Sequence, residues 1–62
     1  MEYRIITAAI ENHIVTLLTD NIYTQQQRQA YAYGAYLTWL ALVGDEFTPD
    51  DDRRLWEQVR YR

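Results

Sequence analysis

Residues 24 to 43, TQQQRQAYAYGAYLTWLALV, constrain the fold more than any other stretch, because from Ala30 onward almost every residue is apolar. Side chains placed about 100° apart on a helical wheel surround such a helix on nearly all sides. Only Thr38, with Tyr31 beside it, interrupts the ring. A helix that is apolar all round is normally a buried one. The sequence therefore predicts a central helix that needs cover from several directions.

The apolar side chains of this helix divide into two neighbouring faces. We expect the other helices to cover the first face, which consists of Ala30, Tyr33, Gly34, Leu37, Leu40 and Ala41. We expect the second face to be left for another protein chain, and its members are Ala32, Tyr36, Trp39 and Val43, with Tyr31 at the edge. Gly34 costs roughly 1 kcal/mol relative to Ala inside a helix. A close approach of another helix at Ala30 and Gly34 would explain that choice.

Local signals mark where the helices begin and end. Thr24 followed three residues later by Gln27 forms a capping box, and Gly44 can end the central helix in the left-handed conformation. Thr48 before Pro49, followed by three aspartates, predicts the start of a last helix. These signals predict helices at about 24–43 and 48–60.

Residues 3 to 18 fit two structures. As a helix they gather one apolar sector, made of Tyr3, Ile6, Ile10, His13, Ile14, Leu17 and Leu18. As two strands they would form a hairpin at Glu11 and Asn12, favoured by the many β-branched residues. We favour the helix, because Glu-Asn is not a strong two-residue turn. The predicted fold is one all-α domain, a three-helix bundle, and the alternative is an N-terminal β-hairpin packed on two helices.

The size and composition of the chain leave burial as its source of stability. With 62 residues it is near the lower limit for a domain that folds alone, and it has no cysteine for a disulfide or a thiolate metal site. A single copy would expose part of the apolar helix, which soluble monomers usually avoid. Pairing two copies across a two-fold axis would cover that surface. We therefore expect a homodimer.

Residues suited to catalysis are scarce. Ser, Cys and Lys are absent, so the usual activated nucleophiles are missing. His13 is the one side chain suited to acid–base chemistry near neutral pH, but it lies among isoleucines without a second His or a carboxylate at ligand spacing. We expect a packed or boundary histidine, and a chain that is not an enzyme and holds no metal or cofactor.

Acidic residues are concentrated before and at the start of the last helix, at Asp45, Glu46, Asp50, Asp51 and Asp52. The alternating aspartates and terminal Glu of a calcium loop are absent. Acids at the start of a helix complement its dipole, as do the arginines that follow, Arg53, Arg54, Arg60 and Arg62. A contact with a basic partner surface is the functional alternative for the acids.

Nucleic-acid functions remain as alternatives. An acidic surface can mimic nucleic acid, and a small helix-turn-helix regulator would read DNA with arginines of its last helix. Three aspartates at the start of that helix would face phosphate, however, and the net charge is −3 at pH 7. We therefore expect no nucleic-acid partner.

Membrane association is also not expected. The apolar run from Ala30 to Val43 has 14 residues, whereas a membrane-spanning helix needs about 20. The start of the sequence carries Glu2 and Glu11 and lacks the continuous apolar core of a signal peptide. Because nothing points to an oxidising compartment, we expect a cytoplasmic protein.

These features favour a small acidic protein–protein interaction module. Tyr and Trp are the residue types that most often carry interface energy. The predicted partner-binding residues are Tyr31, Tyr36, Trp39, Val43, Asp45 and Glu46. Very short, tyrosine-rich acidic chains without cysteine suit accessory proteins of phages or other mobile elements, which bind and modulate a host protein.

Overall fold

The computed structural model of the chain describes residues 2–60. They form three α-helices, α1 (Tyr3–Thr19), α2 (Gln25–Val43) and α3 (Pro49–Val59), with a short 3-10 turn at Gly44–Glu46 between α2 and α3. The predicted all-α bundle is confirmed, and each predicted helix end lies within one residue of the observed end. Tyr3–Thr19 is one continuous helix, so the chain does not adopt the alternative hairpin.

The capping signals are confirmed at both predicted helix starts. The Thr24 hydroxyl accepts a hydrogen bond from the Gln27 N–H at 3.1 Å, and the Gln27 side chain accepts one from the Thr24 N–H at 3.0 Å. The Thr48 hydroxyl accepts from the Asp51 N–H at 3.2 Å. Gly44 follows α2 with φ 56, and its N–H donates to the Leu40 carbonyl. Short-range chemistry therefore sets the ends of α2 and the start of α3.

Trp39 is the centre of the core. Its side chain is fully buried, and its indole N–H donates to the hydroxyl of buried Thr7 at 2.9 Å. The rings of Tyr3 and Tyr36 lie 6.4 and 6.1 Å from its ring, centroid to centroid. All three helices supply core residues, which are Ile14, Ala32, Ala35, Tyr36, Trp39, Val43, Leu55 and Val59. α1 and α2 make most of the contacts between helices, and α3 packs chiefly against α2.

The buried side of α2 is the opposite of the one predicted. Tyr36, Trp39 and Val43 were expected to remain exposed, but they are 8%, 0% and 5% exposed within the single chain. Burial of this side satisfies the polar ends of its aromatic residues: the Trp39 N–H has Thr7, and the Tyr36 hydroxyl donates to Asp52 at 2.5 Å. The expectation that these three residues form a free surface is therefore wrong.

The other side of α2 is left open. A Cβ placed on Gly34 would meet nothing within 4 Å, so no helix within residues 2–60 packs closely there. Ala30 and Ala41, on the same side, are exposed as well, and of the six residues predicted to be covered only Leu40 is half-buried. Within the described residues, the predicted close contact at Gly34 is absent. Residues 2–60 thus leave this apolar face of α2 without a neighbouring helix.

Candidate docking surface on the second helix

The open side of α2 forms one continuous apolar surface with a tryptophan of α3. We call it the open face and define it by Ala30, Tyr33, Gly34, Leu37, Ala41 and Trp56. Helical spacing places the α2 residues on one side of the helix, and the ring of Trp56 lies 6.2 Å from that of Tyr33, edge to face. Tyr33, Leu37 and Trp56 are 42%, 46% and 41% exposed. No charged residue occurs on α2 after Arg28, so the α2 part of this surface is free of charge.

A groove of about 380 Å³ lies along the α3 edge of the open face. Its lining residues are Gln26, Gln29, Ala30, Tyr33, Trp56, Val59 and Arg60. The two aromatic rings are partly exposed, whereas Val59 is buried. Grooves that bind apolar groups combine such walls with a few polar groups at the rim. This groove can therefore hold an apolar or aromatic side chain presented by another molecule.

The C-terminal end of α3 is fixed to α2 beside this groove. The side-chain amide of Gln29 donates to the Val59 carbonyl and, at 2.8 Å, to the Arg60 carbonyl. Carbonyl groups at a helix end lack partners within the helix, so Gln29 satisfies two of them. The groove wall is held in place in the absence of any partner.

The N-terminal end of α3 is fixed by a polar cluster around Asp51. The Tyr3 hydroxyl donates to the Asp51 carboxylate at 2.7 Å and accepts from the Thr48 N–H at 3.1 Å. Arg54 donates to both carboxylate oxygens of Glu11, at 2.8 and 3.0 Å, and to Asp51 at 2.7 Å. These bonds join the start and the middle of α1 to the N-terminal half of α3, and thereby position Trp56 next to Tyr33.

The electrostatics of this cluster follow from its hydrogen bonds. The hydrogen bond from Arg54 lowers the pKa of Glu11, and the hydrogen bond from Tyr3, followed by that from Arg54, lowers the pKa of Asp51. The same two carboxylates, Glu11 first, raise the pKa of Arg54. All three groups therefore stay charged over a wider pH range than isolated side chains. Each of the three charged side chains is hydrogen-bonded to an oppositely charged one, so the cluster holds α1 and α3 together.

The predicted partner-binding residues lie in three different places. Tyr36, Trp39 and Val43 belong to the core. Tyr31 is 45% exposed on the α1 side of α2, with its ring 5.0 Å from that of Tyr23. Asp45 and Glu46 are exposed in the 3-10 turn beyond the C-terminal end of α2. The structure does not bring these six residues together on one surface.

Sequence reasoning missed the residues that are exposed instead, Tyr33, Leu37 and Trp56. Tyr33 and Leu37 were assigned to the covered side, and Trp56 was not among the predicted partner-binding residues. A signal for the true core was present in Ala35, which the two-face division left out. Ala32, Ala35, Trp39 and Val43 recur at spacings of three and four, and their two alanines leave room beside the indole ring for α1.

The structure also places the histidine and the aspartates that the sequence singled out. Within residues 2–60, no three His, Cys, Asp or Glu side chains are grouped so that they could hold a metal ion. His13 is exposed, whereas the rest of the predicted α1 sector is buried or half-buried. Asp51 and Asp52 accept hydrogen bonds from Tyr3 and Tyr36, as described above.

Two of the three described arginines in and directly after α3 form ion pairs. Arg54 is held by Glu11 and Asp51, and Arg60 lies 3.2 Å from Glu57. Arg62 lies outside the described residues. In the described part of the chain, no helix combines the length and apolarity that a membrane span requires.

Comparison with known proteins adds no relative to these observations. No protein-family model, no curated protein and no solved structure matches the chain. Its function has to be inferred from its own residues. Among them, the open face and its groove combine exposed aromatic and aliphatic side chains.

Proposed function

We propose that this chain is a small acidic protein-interaction module and that the open face is its docking surface. The observation that carries the proposal is that Tyr33, Leu37 and Trp56 stand side by side, each about two-fifths or more exposed. Apolar surface of this kind on a small soluble domain usually marks an interaction site. A protein helix or an apolar loop would remove these side chains from water.

The residue types of the open face suit protein binding. Tyr and Trp are enriched among the residues that dominate binding energy, and they contribute most when neighbouring contacts exclude water from them. Tyr33 and Trp56 already pack against each other, and the bonds made by Gln29 and by the Tyr3–Asp51–Arg54 cluster hold α3 in position. A partner would therefore meet a preformed surface, which lowers the entropic cost of binding.

Charge at the end of α2 adds to selectivity. Asp45 and Glu46 are exposed next to the end of the open face that contains Ala41. Charges at the rim of an interface act mainly on the rate and the choice of partner. We propose that the docked surface is positive where it meets these two carboxylates.

The cellular role that fits these properties is that of a cytoplasmic accessory protein without enzymatic activity. A short acidic chain rich in tyrosine and lacking cysteine suits a phage or mobile-element product that binds and modulates a host protein. The engagement of Arg54 by Glu11 and Asp51 favours this role over DNA reading, because that guanidinium already has two carboxylate partners.

A matched pair of variants tests the proposal. Leu37 on the open face and Val15 on α1 are 46% and 48% exposed, so Leu37→Glu and Val15→Glu place the same charge at equally accessible sites. Both should fold, as judged by circular dichroism. Self-association is measured by sedimentation, and capture of other proteins is measured with tagged protein in lysate of the source cell. We expect Leu37→Glu to lose association at least about tenfold, and Val15→Glu to retain it.

The contradicting outcome is equally specific. If wild type and Leu37→Glu associate alike, both with themselves and with other proteins, the open face is not a docking surface. If Val15→Glu is the variant that loses association, the docking surface lies on α1, and the proposal is wrong in its placement.

A further inference from the structure

We infer that the open face binds a second copy of the same chain, with the two α2 helices antiparallel and the two-fold axis between Gly34 and Leu37. The inference rests on the proposed function, since it names the occupant of the same surface. It follows from the sizes of the residues on the open face and from the charges at the two ends of α2.

Large and small residues on the open face are complementary when two copies of α2 pack antiparallel. Ala30, Gly34, Leu37 and Ala41 are spaced four, three and four apart, the spacing of a seam between two packed helices. An antiparallel pair places Gly34 opposite Leu37 of the second copy, and Ala30 opposite Ala41 of the second copy. The largest side chain of the seam then faces the smallest, twice per dimer. A parallel pair would set Leu37 against Leu37 and leave a gap between the two glycines.

The small residues also set the distance between the helices. Packed helix axes lie about 8–10 Å apart, and the lower value requires small side chains at the contact. The open space around Gly34 and the exposure of both alanines meet that requirement. Tyr33 and Trp56 stand at the α3 edge of the seam, where a close second copy would also cover them.

The charges at the ends of α2 are complementary in the same arrangement. Asp45 and Glu46 follow the C-terminal end of α2, where the helix dipole is negative and acids are unfavourable. The N-terminal end has no acidic residue in its first turn, and Thr24 caps the Gln27 N–H only, which leaves the N–H groups of Gln25 and Gln26 open to an outside acceptor. Antiparallel pairing brings the carboxylates of each copy to that end of the other copy.

An interface of the usual relative size would make the dimer a weak one. The described chain exposes 4557 Å², and an interface usually covers about a tenth of the surface of a small protein. Coverage of that order on each copy gives roughly 900 Å² in total, which is in the range of transient complexes. We therefore expect monomer and dimer to exchange at micromolar concentration, which leaves the open face accessible to another protein when the chain is dilute.

Cysteine cross-linking tests the arrangement, because the chain has no cysteine of its own. Ala30→Cys and Ala41→Cys are each prepared alone and then mixed in equal amounts under mild oxidation. In the antiparallel arrangement two copies of Cys at the same position lie about 16 Å apart along the axis, beyond the roughly 7 Å that a disulfide can bridge. We expect cross-linked dimer in the mixture, with several-fold less in either variant alone and in a Val15→Cys control.

Two results would overturn the arrangement. Efficient cross-linking of either α2 variant alone would indicate parallel pairing, and equal cross-linking in all four samples would indicate random collision. The charge contact is tested separately with Asp45→Arg and Glu46→Arg combined, which should weaken self-association about threefold to tenfold. Unchanged self-association in that double variant would remove the proposed contact between the helix ends.

Sedimentation of the wild type separates this inference from the proposed function. A single monomeric species at every concentration up to about 500 µM, far above the micromolar range in which the dimer is expected, would overturn the homodimer. If Leu37→Glu still abolished capture of another protein, the open face would remain a docking surface for that protein. If Leu37→Glu lost neither self-association nor capture of another protein, both the homodimer and the proposed docking surface would be overturned.

Discussion

The two apolar faces of α2 have similar composition, but one is buried and the other is exposed. One face, with Trp39 and Tyr36, forms the core, and the other, with Tyr33 and Leu37, lies open. The difference lies in the polar ends of the aromatic side chains. The Trp39 N–H and the Tyr36 hydroxyl each have a partner on another helix, whereas Tyr33 and Trp56 donate no side-chain hydrogen bond within residues 2–60. Apolar content alone did not decide which face the bundle covers.

The open face is the apolar side of α2 that residues 2–60 leave uncovered. Burial of Tyr33 without a partner for its hydroxyl would cost free energy, while at an interface the hydroxyl can remain near water. Tyr and Trp at partly exposed positions are suited to this compromise between packing and hydration. The difference between the two faces can be tested by changing one residue on each face.

Replacement of the central tryptophan should have the largest effect. Trp39→Ala removes a fully buried side chain and should lower the free energy of unfolding by about 3–5 kcal/mol. A chain of this size rarely has more than about that much stability from its core, so the variant should be largely unfolded. Urea titration of both variants provides the measurement, with Trp56→Ala as the control. If Trp56→Ala lowered the free energy of unfolding as much as Trp39→Ala, the open face would not differ from the buried face in its contribution to stability.

Removal of the Tyr36 hydroxyl should have an intermediate effect. Tyr36→Phe keeps the ring but leaves Asp52 without its donor, which should cost about 1–2 kcal/mol at neutral pH. Tyr33→Phe on the open face is the matched control and should change stability by less than about 0.5 kcal/mol.

Tyr36→Phe should also change how the stability of the protein depends on pH in the alkaline range. Burial, followed by the hydrogen bond to Asp52, raises the pKa of Tyr36 from 10.0 to about 12. The unfolded chain loses this proton near pH 10, so the contribution to stability is complete below pH 10 and disappears as the pH rises toward 12. Wild type should lose more stability than Tyr36→Phe over that interval. Parallel pH profiles of the two proteins would contradict this assignment.

The smallest effect is expected at Gly34, and it has the opposite sign. Gly34→Ala adds a Cβ into open space and improves helix propensity, so the dilute monomer should gain about 0.5–1 kcal/mol. Thermal unfolding at low concentration measures this gain. A loss of stability in the monomer would show that Gly34 is packed closely within the chain, as the sequence first suggested.

The helices were predictable because their signals are local. Thr24 with Gln27 and Thr48 with Pro49 act over four residues or fewer, and both caps formed as expected. Helical periodicity, by contrast, predicted two apolar faces and did not indicate which of them would be buried. The bond that favours one face joins Trp39 to Thr7, 32 positions apart. Such pairings depend on how α1 lies on α2, which the spacing of apolar residues along one helix does not specify.

The candidate site was harder to predict for the same reason. Trp56 reaches the open face because α3 is held by Tyr3 and Glu11, which lie more than 40 positions away in the sequence. Asp45 and Glu46, placed beyond the helix by Gly44, could be recognised as exposed acids from sequence alone. That they lie next to the open face could not be predicted, because the sequence does not specify which side of α2 is exposed.

The placement of the two tryptophans gives each region its own optical signal. Trp39 is shielded from water, so its fluorescence should lie at short wavelength and move to longer wavelength when the chain unfolds. Trp56 is 41% exposed, so its emission should move the other way when a partner covers the open face. Loss of structure and gain of a partner therefore shift the emission spectrum in opposite directions, and both can be followed in one unlabelled sample.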